Sequence, residues 1–110
     1  MSTNQIDISR IESIQDLQLY LKTKSTERGF DKESIEHKFI ALSEEVGELA
    51  RAIRQHVGMG FSDKTSRSEL EEELADVMMT LLSIANYLEV DMLKAVILKE
   101  TGKNLNREWK

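Results

Sequence analysis

Not one proline interrupts the 110 residues of this chain, and it holds only five glycines. Proline removes a backbone donor and clashes with the preceding turn, so its absence lets helices run long. Apolar residues recur every three or four positions almost throughout, the period of a helix buried along one side rather than of a strand. Four helices follow. The first runs from Ile14 to Arg28, with Ser13 and Asp16 at the spacing of a capping-box variant and Gly29 at the stop. The second and longest runs from Lys32 to Val57, with Asp31 as N-cap and Gly58 and Gly60 ending it. The third starts after Ser66, whose spacing to Glu69 fits a capping box, and reaches about Leu88; Asp91 caps a fourth, from Met92 to about Thr101. Residues before Ser13 form an arm or one extra turn, and Gly58 to Thr65 is the one substantial loop. No linker divides the chain, so the expected architecture is a single all-α domain over residues 1–110 with a core like a four-helix bundle.

Charge and composition narrow the function. With 15 basic and 20 acidic side chains the net charge is −5, which gives nonspecific binding to a nucleic-acid polymer little electrostatic support. Acidic proteins that handle phosphates need metal ions. There is no cysteine, which excludes disulfides, thiolate zinc sites and cysteine nucleophiles. The first ten residues lack the apolar core of a secretion signal, and no run approaches the ~18 apolar residues of a membrane span. A soluble, cytoplasmic protein is expected, with no membrane partner.

The second and third helices repeat one another. Sliding the sequence along itself lays Leu42 on Leu70, Val46 on Leu74, Leu49 on Val77 and Ile53 on Leu81. The acids superpose too: Glu44 on Glu72, Glu45 on Glu73, and Glu48 on Asp76. Helices joined by a short loop pack as an antiparallel hairpin. At ~100° per residue the apolar stripe of the second helix centres on Leu42, Val46 and Leu49, with Glu45 on its flank and Glu48 farther round. Residues three apart have Cβ atoms ~5–6 Å apart, so each pair, Glu45 with Glu48 and Glu73 with Asp76, can converge on a common cleft. Two unit charges ~5 Å apart repel by about 3 kcal/mol at an effective dielectric of ~20, so four carboxylates need a counter-charge. Two readings stand. The acids are solvated helix faces, as charge runs usually are, or they hold a divalent cation, and the duplication at one phase favours the second. Oxygen-only ligands suit Mg²⁺, or Mn²⁺ in its place. A di-iron bundle is disfavoured because neither His37 nor His56 has a glutamate three residues before it.

These residues resemble the MazG-like, all-α nucleotide pyrophosphohydrolases, which share an E-E-x-x-E motif, a variable loop, and then E-x-x-D. Here the motif is Glu44, Glu45 and Glu48, then Glu73 and Asp76, and the likeness continues through Leu88 to Val96 into the basic tail. The resemblance implies a helical core of MazG type. It also implies hydrolysis of a nucleoside triphosphate between the α- and β-phosphates, giving a monophosphate and pyrophosphate. On that basis Glu45, Glu48, Glu73 and Asp76 would hold Mg²⁺, Glu44 would be either a further ligand or a helper that orients or deprotonates the attacking water, and Glu44 and Glu45 would be the catalytic residues. Lys99, Asn104 and Arg107 are candidates for substrate contacts, although Asn104 and Arg107 follow Lys99 one residue later than the family's K-x-x-x-N-x-x-R spacing. Asn86, on an otherwise apolar part of the third helix, contacts substrate or pairs across a helix interface.

Beyond its main stripe the third helix carries Ala75, Met78, Met79, Leu82 and Ala85. A helix apolar nearly all round is buried on several sides, so a homodimer or homotetramer is expected to complete the bundle. Two rivals remain. One is a related pyrophosphohydrolase of narrower substrate, such as dUTP, dCTP or phosphoribosyl-ATP; the other is a noncatalytic helical interaction module.

Overall fold

A computed structural model describes residues 6–58 and 66–109, and within them the chain forms four α-helices and no strand. Helix α1 spans Ile14–Glu27, α2 Ile35–His56, α3 Arg67–Tyr87 and α4 Met92–Lys99. No helix among the described residues is long and apolar enough to cross a membrane.

Caps set the boundaries. The Ser13 hydroxyl accepts from Asp16 N at 3.0 Å to start α1, and Gly29, at φ +79°, takes the left-handed position after its end. At α3 the box is reciprocal: Glu69 N donates to Ser66 Oγ at 3.2 Å and Ser66 N donates to Glu69 Oε2 at 3.3 Å. Asp91 caps α4 by accepting from Lys94 N at 3.0 Å. The start of α2 departs from expectation. Asp31 lies inside a 3₁₀ turn over Phe30–Lys32, and the N-cap is Ser34, whose hydroxyl accepts from His37 N at 3.1 Å. Ser34 directly precedes the first periodic apolar residue, Ile35, so its oxygen meets the free amides that a cap at Asp31 would miss. The expected extra turn before Ser13 is a 3₁₀ turn over Ile8–Arg10. Beyond Lys99 the backbone widens into a π-helical turn over Glu100–Asn104, so α4 stops short of Thr101. Gly60 and most of the predicted loop lie outside the described residues.

The chain groups into two compact units, Met1–Asp31 with Ala85–Lys110, and Lys32–Ile84. In the first, α1 packs against α4. A set of amides organises it. Gln18, only 7% exposed, donates from Nε2 to Asn86 Oδ1 at 3.0 Å and to Val90 O at 2.9 Å, and accepts from Met92 N at 2.9 Å. Asn86 Nδ2 returns a bond to Gln18 O at 2.8 Å. The turn it grips ends α3 in a Schellman pattern, with Val90 N donating to Ala85 O and Glu89 at φ 58° in the place glycine usually holds.

The second unit holds α2 and most of α3. Along α2 the least exposed line is Lys38, Leu42, Glu45, Leu49 and Ala52; along α3 a matching half-buried line is Leu70, Glu73, Val77, Thr80 and Ile84, and the most buried side chains, Leu82 and Ala85, lie near its C-terminal end. Both lines step by four and three, and the register that pairs the acids carries one onto the other from Leu42 to Thr80. Their phase corrects the sequence reading. Glu45 and Glu73 lie within the inward line rather than on its flank, while Val46, expected at the stripe centre, and Ile53, Leu74 and Leu81, expected along the apolar repeat, are exposed.

Candidate metal and active site

Each acid is placed by helical spacing. Glu45 is flanked along the inward line of α2 by Leu42 and Leu49, and Glu73 along that of α3 by Leu70 and Val77, so both carboxyls project among apolar neighbours on their own helices. Glu48 and Asp76, three residues farther on, stand at the exposed margin. Carboxylate oxygens of Glu45, Glu73 and Asp76 lie within 4.8 Å of one another. Glu48 reaches Glu73 in hydrogen-bonding contact. Residue numbers therefore rise on one helix as they fall on the other, which makes α2 and α3 the expected antiparallel hairpin.

The electrostatics of this arrangement are unfavourable for bare carboxylates. Burial, followed by the charges of Glu48, Asp76, Glu73 and Glu44, pushes the Glu45 carboxyl above its ordinary value. Glu73 is raised by burial and then by Glu48 and Asp76. Glu45 Oε2 and Glu73 Oε2 are both buried with no hydrogen-bond partner. Buried polar atoms are ordinarily paired, and an unpaired carboxylate oxygen costs more than a neutral group. A hard divalent cation satisfies both the orphaned oxygens and the mutual repulsion, and the donor set, carboxylate oxygen alone, is that of Mg²⁺ or Mn²⁺. The residues present fit the ion.

Glu44 and Glu72 sit beside the cluster on the exposed faces of their helices. The remaining sequence candidates belong to the other unit. Asn86 spends its side-chain oxygen and nitrogen on Gln18. Lys99 ends α4. Asn104 donates to Glu100 Oε2 at 3.0 Å while its own buried Oδ1 has no partner, and the Arg107 guanidinium lies 4.8 Å from the centre of the Trp109 ring. Sequence reasoning missed a cavity of about 210 Å³ that borders the cluster at Glu48 and Glu73 and extends along Arg51, Ala52 and Gln55. The signal was present as the helical spacing 48, 51, 52, 55, but a basic and an amide residue on an acidic helix suggest nothing until α3 closes the other side.

Compared with models of known protein families, residues 33–108 match the MazG nucleotide pyrophosphohydrolase domain. Among solved structures the fold is similar to that of YPJD from Bacillus subtilis, a candidate pyrophosphatase. The TM-score is 0.68 and the identity 23%, over 90% of this chain and 99% of that one. At that identity the likeness concerns the fold. No curated protein sequence matches the chain.

Proposed function

The chain belongs to the MazG nucleotide pyrophosphohydrolase family, and from that premise we propose that it hydrolyses nucleoside triphosphates between the α- and β-phosphates, with Mg²⁺, to a monophosphate and pyrophosphate. The observation that carries the proposal is the pair of buried, unpartnered oxygens on Glu45 and Glu73 at equivalent positions of two helices. A structural role would have paired them.

Glu45, Glu48, Glu73 and Asp76 are the proposed holders of the ion. Bound there, Mg²⁺ supplies charge neutralisation at the phosphate oxygens and a more acidic water. The chain's own part is positional. Leu42, Leu49, Leu70 and Val77 fix the two inward carboxylates along their helices, and the marginal Glu48 and Asp76 turn the cluster toward solvent, where a triphosphate arrives. Glu44, one residue from Glu45 and exposed, is placed to orient the attacking water or take its proton. Lys99, Asn104 and Arg107 are proposed substrate contacts, and Asn86 a positioning residue, since its amide is committed to Gln18. The family match spans both units, which supports treating residues 1–110 as one catalytic domain. We place its activity in the cytoplasm, and a role in removing noncanonical or excess nucleotides would suit the chemistry.

Exposed apolar side chains support a homodimer or homotetramer. Phe39, Val46 and Ile53 on α2 are 62%, 47% and 45% exposed, and Leu74 on α3 is 50% exposed. A monomer leaves such a stripe in water at an unfavourable ~25 cal/mol per Å².

Release of pyrophosphate from a panel of ribo- and deoxynucleoside triphosphates with Mg²⁺ tests the function. Wild-type protein is expected to release it, and Glu48→Gln and Asp76→Asn are expected to lose that activity. No release from any nucleotide would favour the interaction-module reading.

A further inference from the structure

The cavity beside the cluster is not a by-product of the duplicated device. The repeat that matches the acids makes Met79 the counterpart of Arg51, Thr80 of Ala52, Ser83 of Gln55 and Ala41 of Glu69. One end of the hairpin therefore carries a guanidinium, an amide and a carboxylate where the other carries a thioether, a methyl group and two hydroxyls. Arg51, Ala52 and Gln55 follow Glu48 at three, four and seven residues, so all four line one side, while Glu69 and Glu72 face them from α3. Ala52, 6% exposed, forms the floor; a longer side chain there would fill the space.

The chemistry of the lining selects an occupant. Two of the four carboxylates in the lining, Glu48 and Glu73, are shared with the cluster, which leaves Glu69 and Glu72 beside one guanidinium, Arg51, a sum of −1. A phosphate is repelled by such a wall unless cations screen it, and the place for those cations is the cluster at Glu45, Glu73 and Asp76. The part of a nucleotide that suits the cavity is neutral and offers N–H groups to carboxylates. Arg51 adds a forked donor, which pairs with two adjacent acceptors such as a carbonyl oxygen and a ring nitrogen. Glu69 is partly committed to capping α3, which leaves Glu72 as the acceptor for an amino group.

Cytosine and guanine carry both an exocyclic amine and a carbonyl next to an acceptor nitrogen. Adenine has no carbonyl, and uracil and thymine have no amine. We propose that this cavity receives the nucleobase and that Arg51 with Glu72 selects cytosine and guanine over adenine and uracil. The inference rests on the pyrophosphohydrolase reading for the presence of a nucleotide, but it turns on Arg51 and Glu72, which lie outside the metal cluster.

Calorimetric titration with CMP, GMP, AMP and UMP in the presence of Mg²⁺ tests it without requiring turnover. Wild-type protein is expected to bind CMP and GMP roughly 10-fold or more tightly than AMP and UMP, the discrimination of one good bidentate pair. Arg51→Ala should bring the four within about threefold, as should Arg51→Lys, which keeps charge and helix propensity but lacks the fork. A ranking that survives both substitutions overturns the proposal, as does wild-type preference for AMP or UMP, no ranking, or no binding at all. Failure of the function reading looks different: no pyrophosphate leaves any triphosphate, while the ranking of monophosphates and its loss in the Arg51 variants persist.

Discussion

Two sets of polar side chains are drawn away from water in this protein, and they are treated in opposite ways. In the unit built on α1 and α4, Gln18 and Asn86 satisfy one another and the backbone of the α3–α4 turn, with four hydrogen bonds of 2.8–3.0 Å. In the unit built on α2 and α3, Glu45 and Glu73 each leave a buried oxygen with no partner, and their nearest charged neighbours are other acids. A neutral amide that uses both of its ends closes an interface and asks for nothing more. A carboxylate left over on the inward line carries an unfavourable interaction that a bound cation would relieve. The first arrangement is complete, and the second leaves oxygen ligands over.

The sharpest way to break that contrast is at the acids. Glu48→Gln and Asp76→Asn, which keep size and remove charge, should lower kcat/KM for triphosphate hydrolysis on the order of 100-fold or more with Mg²⁺ at a fixed concentration. Gln18→Ala removes three side-chain hydrogen bonds, each worth ~1 kcal/mol, and should cost about 3 kcal/mol in urea unfolding. Its Mg²⁺ affinity should stay that of wild type; a loss of metal binding there would mean that the two sets are not independent. A smaller effect, and the more telling one, concerns pH. Folding raises the Glu45 carboxyl above its ordinary value of 4.5, so its contribution to stability is present below that value and is lost as pH rises through the raised one. Without metal, Glu45→Gln should therefore have a higher Tm than wild type at neutral pH, the difference vanishing in acid. With saturating Mg²⁺ the order should reverse, because wild type then gains the ion's binding free energy. The smallest change to the fold itself is expected from Val46→Lys, which should shift the molecule toward monomer in light scattering while leaving helix content unchanged.

The caps were legible because each needs only a local pattern: Ser13, Ser66 and Asp91 stand where a hydroxyl or carboxylate precedes an apolar repeat. Asp31 misled because the 3₁₀ turn at Phe30–Lys32 inserts a second punctuation before Ser34. The acidic repeat was legible as spacing, but its phase was not. The apolar residues of α2 cover two adjacent sides, one turned inward at Leu42 and Leu49 and one left outside at Val46 and Ile53, and their average direction falls between the two. A periodicity argument sees that average and places Glu45 beside the core, when it lies in the inward line. Gln18 was invisible for another reason. A glutamine between Leu17 and Leu19 on a helix of 14 residues shows its worth only once a turn from the far end of the chain meets it.

Equivalent positions also face one another reciprocally: Glu45 meets Asp76 just as Glu73 meets Glu48. The hairpin thus carries a local two-fold axis between Glu45 and Glu73, the symmetry of an isologous interface written into one chain. The two helices would offer an ion near-equivalent carboxylates, differing in Glu48 against Asp76, but a nucleotide has a head and a tail. Orientation must come from what breaks the symmetry, and Arg51 against Met79 breaks it. On the proposed function, the duplicated acids would determine where the cut is made, and the unmatched residues which way round the substrate lies.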